Sequence, residues 1–192
     1  MRRVGLLTGT FDPVHLGHTA MARAAVSACE LDEVWFLVNP TSGHKYGVTA
    51  LVDRVAMVRL GLAGEPAMRE GVPDGGEDPA AHTMSEFGRL MAQHPDTEFV
   101  FIIGMDVLAT LDTWEDAMQV RELSFAVARR AGAPEIKLDE HLRVQWFDLA
   151  EHAEASSRLV QVQLRAGKRP AELDDRVFEY IRERGLYGVA PS

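Results

Sequence analysis

The sequence predicts an α/β fold with a parallel, doubly wound sheet and a small helical part at the C-terminus. Two observations support this prediction. Apolar runs of strand length alternate along the chain with segments of helical spacing. The clearest of these runs is continuously apolar, as expected for a strand covered on both faces. A length of 192 residues fits one domain, 1–192, whose C-terminal helical part begins at about residue 150.

The elements follow in order from this pattern. We expect strands over residues 3–8, 33–38, 98–103, 124–129 and 144–149. We expect helices over residues 16–29, 51–63, 83–94, 156–166 and 174–184, and helical stretches that begin at Met105 and Thr113. Residues 39–49 and 64–81 contain several glycines and prolines and are predicted to be loops.

Composition excludes several classes of protein. A formal net charge of −9 argues against binding to nucleic acid or to an anionic membrane, which would need a basic face. Cys29 is the one cysteine, so the chain has no internal disulfide, and we expect it to be a small buried apolar side chain. No signal peptide and no run of about 18 apolar residues is present, which favours a cytoplasmic protein with no membrane span.

Residues 9–18, which read Gly-Thr-Phe-Asp-Pro-Val-His-Leu-Gly-His, directly follow the first predicted strand. Glycine lets backbone approach a ligand closely, and a helix N-terminus presents unpaired N–H groups to an anion. His15 and His18 are three residues apart, so they face the same way at a helix start. The alternative is one surface histidine and one capping histidine. Their setting after a buried strand, among glycine and proline, favours a phosphate-binding site.

Other polar residues fall at the same edge of the predicted sheet. Parallel sheets bind ligands beyond the carboxyl ends of their strands, near the point where the strand order reverses. The segments at this edge are Thr10, the two histidines, the loop over 39–45 and residues 104–106.

Residues 9–18 resemble the signature of the HIGH-type nucleotidyltransferases, and the chain as a whole is similar to the bacterial nicotinate mononucleotide adenylyltransferases. The further stretches that carry the resemblance are residues 33–40 with His44 and Lys45, Arg54 with Met57, residues 101–106 with Leu111, Thr113 and Trp114, residues 127–130, and Tyr180, Ile181 and 185–187. It implies a Rossmann-like nucleotidyltransferase fold.

The resemblance also implies the reaction. Such enzymes transfer AMP from ATP to nicotinate mononucleotide in the synthesis of NAD, giving nicotinate adenine dinucleotide and pyrophosphate. The acceptor phosphate attacks the α-phosphorus in line, so the enzyme supplies positioning and charge neutralisation. Mg²⁺ would accompany ATP as cofactor, held by phosphate oxygens and water rather than by protein ligands. A homo-oligomer is also implied.

The resemblance assigns roles to particular residues. His15 and His18 would hold the ATP phosphates, and Lys45 would neutralise the triphosphate and take part in catalysis. ATP would further contact Gly9, Thr10, Phe11, Gly104, Asp106, Ser156, Ser157 and Arg158. The acceptor would contact Lys45, Thr83, Met105, Asp106, Trp114 and Arg130, with Trp114 stacked on the pyridine ring.

Each role has a simpler alternative. Lys45 fits a solvated loop lysine, and Trp114 fits a core tryptophan. Asp106 fits the N-cap of the next helix as well as a ligand near the ribose or phosphate. Ser156 and Ser157 are natural caps and equally natural phosphate ligands at a helix start.

The chain departs from the family pattern in two places. Where the family has Ile-Ser-Ser-Thr-x-x-Arg, Ala155 replaces isoleucine, Arg158 threonine and Gln161 the closing arginine; Arg158 or Arg165 could supply the missing charge. Before Thr83, the segment over 71–79 is acidic and would not attract a nicotinate carboxylate.

Several acceptors and functions therefore stay open. The acceptor could be nicotinamide mononucleotide or another phosphorylated or phosphonylated compound, and CTP could replace ATP. A nucleotide-binding protein without catalysis is a second class of function. An NAD-dependent oxidoreductase is excluded because no Gly-x-Gly-x-x-Gly follows the first strand.

Overall fold

A computed structural model describes residues 1–39, 47–71, 83–111, 123–130 and 141–190. Its strands are β1 (Arg2–Gly9), β2 (Glu33–Val38), β3 (Met68–Gly71), β4 (Thr97–Gly104), β5 (Ser124–Arg129) and β6 (Arg143–Asp148). Its helices are α1 (Leu16–Ala28), α2 (Leu51–Gly61), α3 (Thr83–Gln93), α4 (Met105–Leu108), α5 (Ser157–Arg165) and α6 (Asp175–Glu183), followed by a 3₁₀ turn at Leu186–Gly188.

The strands form one sheet in the order β3-β2-β1-β4-β5-β6, and every neighbouring pair is parallel. This confirms the predicted fold class. In this order the chain reverses direction across the sheet between β1 and β4, which is where such folds bind nucleotides. The loops that follow β1 and β4 therefore frame the expected site.

Consecutive strand residues point to opposite faces of the sheet, and both faces are covered. Phe36 and Ile102 belong to an apolar cluster that includes side chains of α1, α2 and the C-terminal helices. Trp35 and Phe101 belong to a second cluster on the other face, with Phe87 of α3. Burial on both faces explains why the strand runs are continuously apolar. Trp35 is a core residue, and the prediction that Cys29 is buried is confirmed.

The C-terminal helices share the core of the sheet domain. Val160 and Leu164 of α5 and Val177 and Ile181 of α6 are buried in the same cluster as β1 and β2. This packing places α5 next to the loop that follows β1.

Among the described residues, no helix is long and apolar enough to cross a membrane.

The prediction of a loop over 64–81 was wrong at β3. Met68 is buried, but Arg69 is exposed and Glu70 pairs with Arg59 at 2.9 Å. A four-residue edge strand is held by backbone pairing with β2, so it needs no apolar run and gives no signal in the hydrophobic pattern. The predicted helical stretch at Thr113 lies outside the described residues.

Candidate active site

The loop after β1 turns sharply under the start of α1. Phe11 has a φ of 47°, a left-handed conformation that costs energy for a residue with a Cβ and that is concentrated at functional sites. Its ring is buried, packing edge-on against His18 with centroids 4.9 Å apart and against Phe36 of β2 at 5.5 Å. The strained turn therefore places the Phe11 ring against His18 and restricts the position of that imidazole.

The two histidines of the motif are organised by a backbone hydrogen bond. His15 is the N-cap of α1, and its backbone N–H donates to Nδ1 of His18 over 3.1 Å. Because Nδ1 accepts this bond, the ring proton of neutral His18 lies on Nε2. The His15 ring stacks on the His18 ring with centroids 3.7 Å apart. His15 therefore holds the His18 ring in place by stacking and by its backbone N–H, and Nε2–H of His18 can donate to a ligand.

Both imidazoles are neutral near pH 7. Burial lowers the pKa of His15 from 6.5 to about 4, and the nearby His152 adds to this effect. Burial likewise lowers the pKa of His18 well below its ordinary value, with His15 contributing. His18 thus offers a neutral, oriented N–H dipole rather than a full positive charge.

His18 lies on the wall between two cavities. The first, which we call the polar cavity, has a volume of about 470 Å³. It is lined by Thr10, Phe11, Asp12, His18, Gly47, Val48, Ser157, Arg158, Gln161 and Arg165. Its charged side chains are two arginines and one aspartate, and the aspartate is engaged elsewhere, so this cavity suits an anion.

The second, which we call the apolar cavity, has a volume of about 480 Å³ and lies beyond the carboxyl ends of β1, β4 and β5. It is lined by Leu7, Thr8, His18, Met21, Asn39, Phe101, Ile102, Ile103, Gly104, Met105, Asp106, Val107, Phe125, Ala128 and Arg130. Mostly apolar walls with a few convergent polar groups are typical of a site for a flat organic ring. The two cavities share only His18 among these residues.

The structure brings most of the predicted site residues to these two cavities. Thr10, Phe11, His18, Ser157 and Arg158 line the polar cavity, and Gly104, Met105, Asp106 and Arg130 line the apolar cavity. Lys45 and Trp114 lie outside the described residues, as does the side chain of Thr83 at the start of α3.

Gly9 and Ser156, which were predicted to contact ATP, line neither of these two cavities and make backbone or capping hydrogen bonds. The carbonyl of Gly9 accepts the N–H of Asn39 at 2.9 Å, which ties the loops after β1 and β2 together. Ser156 is the N-cap of α5 and accepts the N–H of Leu159 at 3.3 Å. Gly104, and not Asp106, is the N-cap of α4; Asp106 is exposed, lines the apolar cavity and has its Oδ1 beside Gly104.

Arg54 of α2 ties the loop after β1 to both ends of the connection between β2 and α2, a role that sequence reasoning missed. Its side chain is 1% exposed and donates to the carbonyl oxygens of Thr49 (2.8 Å), Thr10 (2.7 Å) and Asn39 (2.8 Å). Burial lowers the pKa of Arg54 and the Asp12 carboxylate opposes that shift; a guanidinium stays charged in proteins. Arg54 thereby fixes the backbone that lines the polar cavity.

A second buried contact reaches the same loop from the C-terminus. The hydroxyl of Tyr187 donates to Oδ1 of Asp12 at 2.5 Å, and the backbone N–H of Thr49 donates to Oδ2 at 3.2 Å. Asp12 is 7% exposed, so this carboxylate depends on these donors. The aspartate within the motif is therefore structural in its contacts, and it joins the loops on either side of the polar cavity.

Helix α5 is attached to the loop after β1 by two side chains. Ser157 Oγ donates to the carbonyl oxygen of Pro13 at 2.9 Å, and Gln161 Nε2 donates to the carbonyl oxygen of Asp12 at 2.6 Å. The Oε1 atom of Gln161 accepts from Nη2 of Arg165 at 3.0 Å. The hydroxyl proton of Ser157 is engaged by Pro13, and the N-terminus of α5 faces the polar cavity.

Gly17 permits a close approach beside the histidines. A Cβ at this position would lie 2.9 Å from Cβ of Ala155, 3.0 Å from Nδ1 of His15 and 3.0 Å from the carbonyl oxygen of His152. Any side chain would push the segment before α5 away from α1. The glycine of the motif is therefore needed for close packing at the site as well as for the start of the helix.

Among the described residues, no group of three His, Cys, Asp or Glu side chains is placed to hold a metal ion.

Comparisons with known proteins match the whole chain. Residues 6–162 match the family model described as Cytidylyltransferase-like. The chain is 33% identical over 196 residues to a protein named "Probable nicotinate-nucleotide adenylyltransferase" from Geobacillus thermodenitrificans, covering 100% of this chain and 89% of the relative. It is 34% identical over 199 residues to a protein of the same name from Gloeobacter violaceus, covering 97% of each.

Solved structures share the fold. Nicotinic acid mononucleotide adenylyltransferase of Plasmodium falciparum, in a complex with NaAD, superposes with a TM-score of 0.81 at 16% identity and covers 99% of both chains. Its complex with APC superposes with a TM-score of 0.80 over the same share. At this identity the likeness concerns the fold alone.

Proposed function

This chain belongs to the nicotinate-nucleotide adenylyltransferases within the cytidylyltransferase-like family, and from that premise we propose how its site carries out the reaction. The enzyme transfers AMP from ATP to nicotinate mononucleotide and releases pyrophosphate, a step in NAD synthesis. An oxygen of the acceptor phosphate forms a bond to the α-phosphorus of ATP. The bond from that phosphorus to the oxygen bridging to the β-phosphate breaks, and pyrophosphate takes the electron pair.

The position of His18 between the two cavities is the observation that carries the proposal. The polar cavity offers Thr10, Arg158 and the α5 N-terminus to the triphosphate. The apolar cavity offers ring-sized apolar walls to the nucleoside parts of the substrates. When the triphosphate of ATP lies in the polar cavity and its nucleoside lies in the apolar cavity, the α-phosphate between them lies at His18. We therefore place the reaction at His18.

His18 acts by donating a hydrogen bond. Its Nε2–H is oriented by the bond from the backbone of His15 to Nδ1, and its neutral state is maintained by burial. A fixed donor aimed at the phosphorane oxygens stabilises the transition state without reorganising solvent. His15 holds this ring by stacking; its direct contact with phosphate, and the neutralising role of Lys45, stay predictions.

The acceptor lies against the residues at the ends of β4 and β5. Gly104, Met105 and Asp106 present backbone and a carboxylate there, and Arg130 adds a positive charge for the acceptor phosphate. Thr83 and Trp114 complete this part of the site in the proposal, with Trp114 stacked on the pyridine ring. Nicotinamide mononucleotide and other phosphorylated acceptors are the alternatives.

Mg²⁺ is proposed as cofactor, bound to ATP rather than to the protein. The carboxylate on the polar-cavity wall, Asp12, already accepts from Tyr187 and Thr49, so the wall offers donors for phosphate. When bound, the ion supplies charge neutralisation on the triphosphate. We also propose a cytoplasmic location, because ATP is available there, and the homo-oligomer implied by the family stays a prediction.

A substrate panel tests the proposal. The purified protein is incubated with ATP or CTP and with nicotinate or nicotinamide mononucleotide, and pyrophosphate is measured. We expect turnover that is fastest with ATP and nicotinate mononucleotide and that requires Mg²⁺. Binding of ATP without turnover on any pyridine mononucleotide would favour a non-catalytic nucleotide-binding protein instead.

A further inference from the structure

Helix α5 turns three polar side chains to the polar cavity from one stripe of its surface. Arg158, Gln161 and Arg165 all line that cavity, and their spacings of three and four residues place them in line along the helix. The middle position, where the family pattern has arginine, holds a neutral amide in this chain. The two guanidinium groups flank it, about two turns of helix apart.

Both ends of the Gln161 amide are engaged. Its Nε2 donates to the backbone carbonyl oxygen of Asp12 at 2.6 Å, and its Oε1 accepts from Nη2 of Arg165 at 3.0 Å. Gln161 therefore bridges the loop after β1 and a flexible arginine side chain. A guanidinium has five N–H donors, so the bond to Gln161 orients the planar group and leaves other donors for a ligand.

We propose that Arg165 binds the β,γ end of the triphosphate, the part that leaves as pyrophosphate, and that Gln161 is a positioning residue that holds Arg165 in place. The inference rests on the proposed function. Arg158 enters the same cavity from the N-terminal end of α5, so the two arginines contact different phosphate groups. A planar fork that is held in advance loses less entropy when it binds phosphate than one that must be ordered.

The simpler alternative is that Arg165 serves the helix alone, as a positive charge near the negative end of α5. Lysine supplies that charge equally well but not the planar fork. Arg165→Lys therefore separates the alternatives, because a helix role tolerates it and a role in two-pronged phosphate binding does not.

The experiment compares Arg165→Met, Arg165→Lys, Gln161→Met and the double variant Gln161→Met with Arg165→Met. Lys168→Met is the control, because it removes a nearby exposed charge that does not line the polar cavity. The readouts are the KM for ATP, the KM for nicotinate mononucleotide and the inhibition constant of added pyrophosphate. Thermal melts establish that each variant is folded.

We expect Arg165→Met to raise the KM for ATP and the pyrophosphate inhibition constant about tenfold or more, the size expected for a charge-assisted hydrogen bond. The KM for nicotinate mononucleotide should change by less than about twofold, and Arg165→Lys should recover little of the loss. If Gln161 acts through Arg165, the pyrophosphate inhibition constant of the double variant matches that of Arg165→Met.

Two results would overturn the proposal. The first is a pyrophosphate inhibition constant for Arg165→Met within twofold of that for Lys168→Met. The second is full additivity of the two substitutions, which would assign Gln161 to the loop alone. If the unaltered protein releases no pyrophosphate from any substrate pair, the proposed function fails separately. Calorimetry with inorganic tripolyphosphate then still decides whether Arg165→Met weakens binding to the polar cavity.

Discussion

Replacing Tyr187 by phenylalanine removes one hydroxyl and tests whether the C-terminus holds the phosphate loop. The hydroxyl donates over 2.5 Å to Asp12, whose side chain is 7% exposed. Burial and the hydrogen bond to Asp12 raise the pKa of Tyr187, so this hydroxyl is a donor at every ordinary assay pH. Phenylalanine keeps the ring and leaves a carboxylate oxygen with one donor fewer.

The structure sets the size of the effect. A hydrogen bond to a charged group contributes about 1.5–3 kcal/mol, and little water can reach Asp12 to replace it. For a chain of this length, about 2–4 °C of Tm correspond to each kcal/mol, so Tyr187→Phe should melt roughly 3–12 °C lower. The loop that carries Thr10 and Phe11 also loses a support, so kcat/KM for ATP should fall by about tenfold.

Thermal melts and steady-state kinetics measure the two effects together. Tyr180→Phe is the matched control, because its hydroxyl donates at 2.8 Å to Asp53, which Arg184 also contacts at 3.2 Å and which lies away from the polar cavity. We expect this control to lose less stability and to keep its kcat/KM. Equal stability and kinetics for the two variants would refute the claim that Tyr187 supports the site.

Three further predictions follow from the same contacts. Arg54→Met should lower the free energy of unfolding by about 3–5 kcal/mol in urea titrations, because three backbone carbonyls lose a buried charged donor. Gly17→Val should lower kcat with little change in the KM for nicotinate mononucleotide, since its Cβ meets Ala155 at 2.9 Å and displaces the histidines. Burial lowers the pKa of His15 from 6.5 to about 4, so between these pH values the unfolded chain binds a proton that the folded chain does not. The free energy of unfolding should therefore fall by up to about 3 kcal/mol as the pH drops from 6.5 to 4. His15→Asn should flatten this dependence of stability on pH.

The central strands could be predicted because burial leaves a local signal. The runs at β1, β2 and β4 are apolar on both faces, so the sequence alone predicts their order of appearance and the parallel sheet. Strand β3 could not be predicted, since an edge strand with exposed Arg69 is specified by backbone pairing with its neighbour. The hydrophobic pattern of a sequence indicates which residues are buried, and only Met68 of β3 is buried.

The candidate site divides in the same way. His18 could be found because its neighbours in sequence, a strand end, a glycine and a helix start, are the features that bind phosphate. The support of that loop could not, because Gln161 and Tyr187 reach Asp12 across 149 and 175 residues. The family pattern marked residues 161 and 187 as positions of interest, but only the folded chain shows which atoms they contact.

Label transfer from ATP labelled at the α-phosphate tests the central claim, that adenylyl transfer occurs at His18, most directly. With nicotinate mononucleotide present, we predict that label appears in nicotinate adenine dinucleotide, and that His18→Ala lowers kcat by about 10²–10³ while its melting curve stays close to that of the unaltered protein. A His18→Ala enzyme that transfers label within tenfold of the unaltered rate, or label that never leaves ATP, would contradict the account.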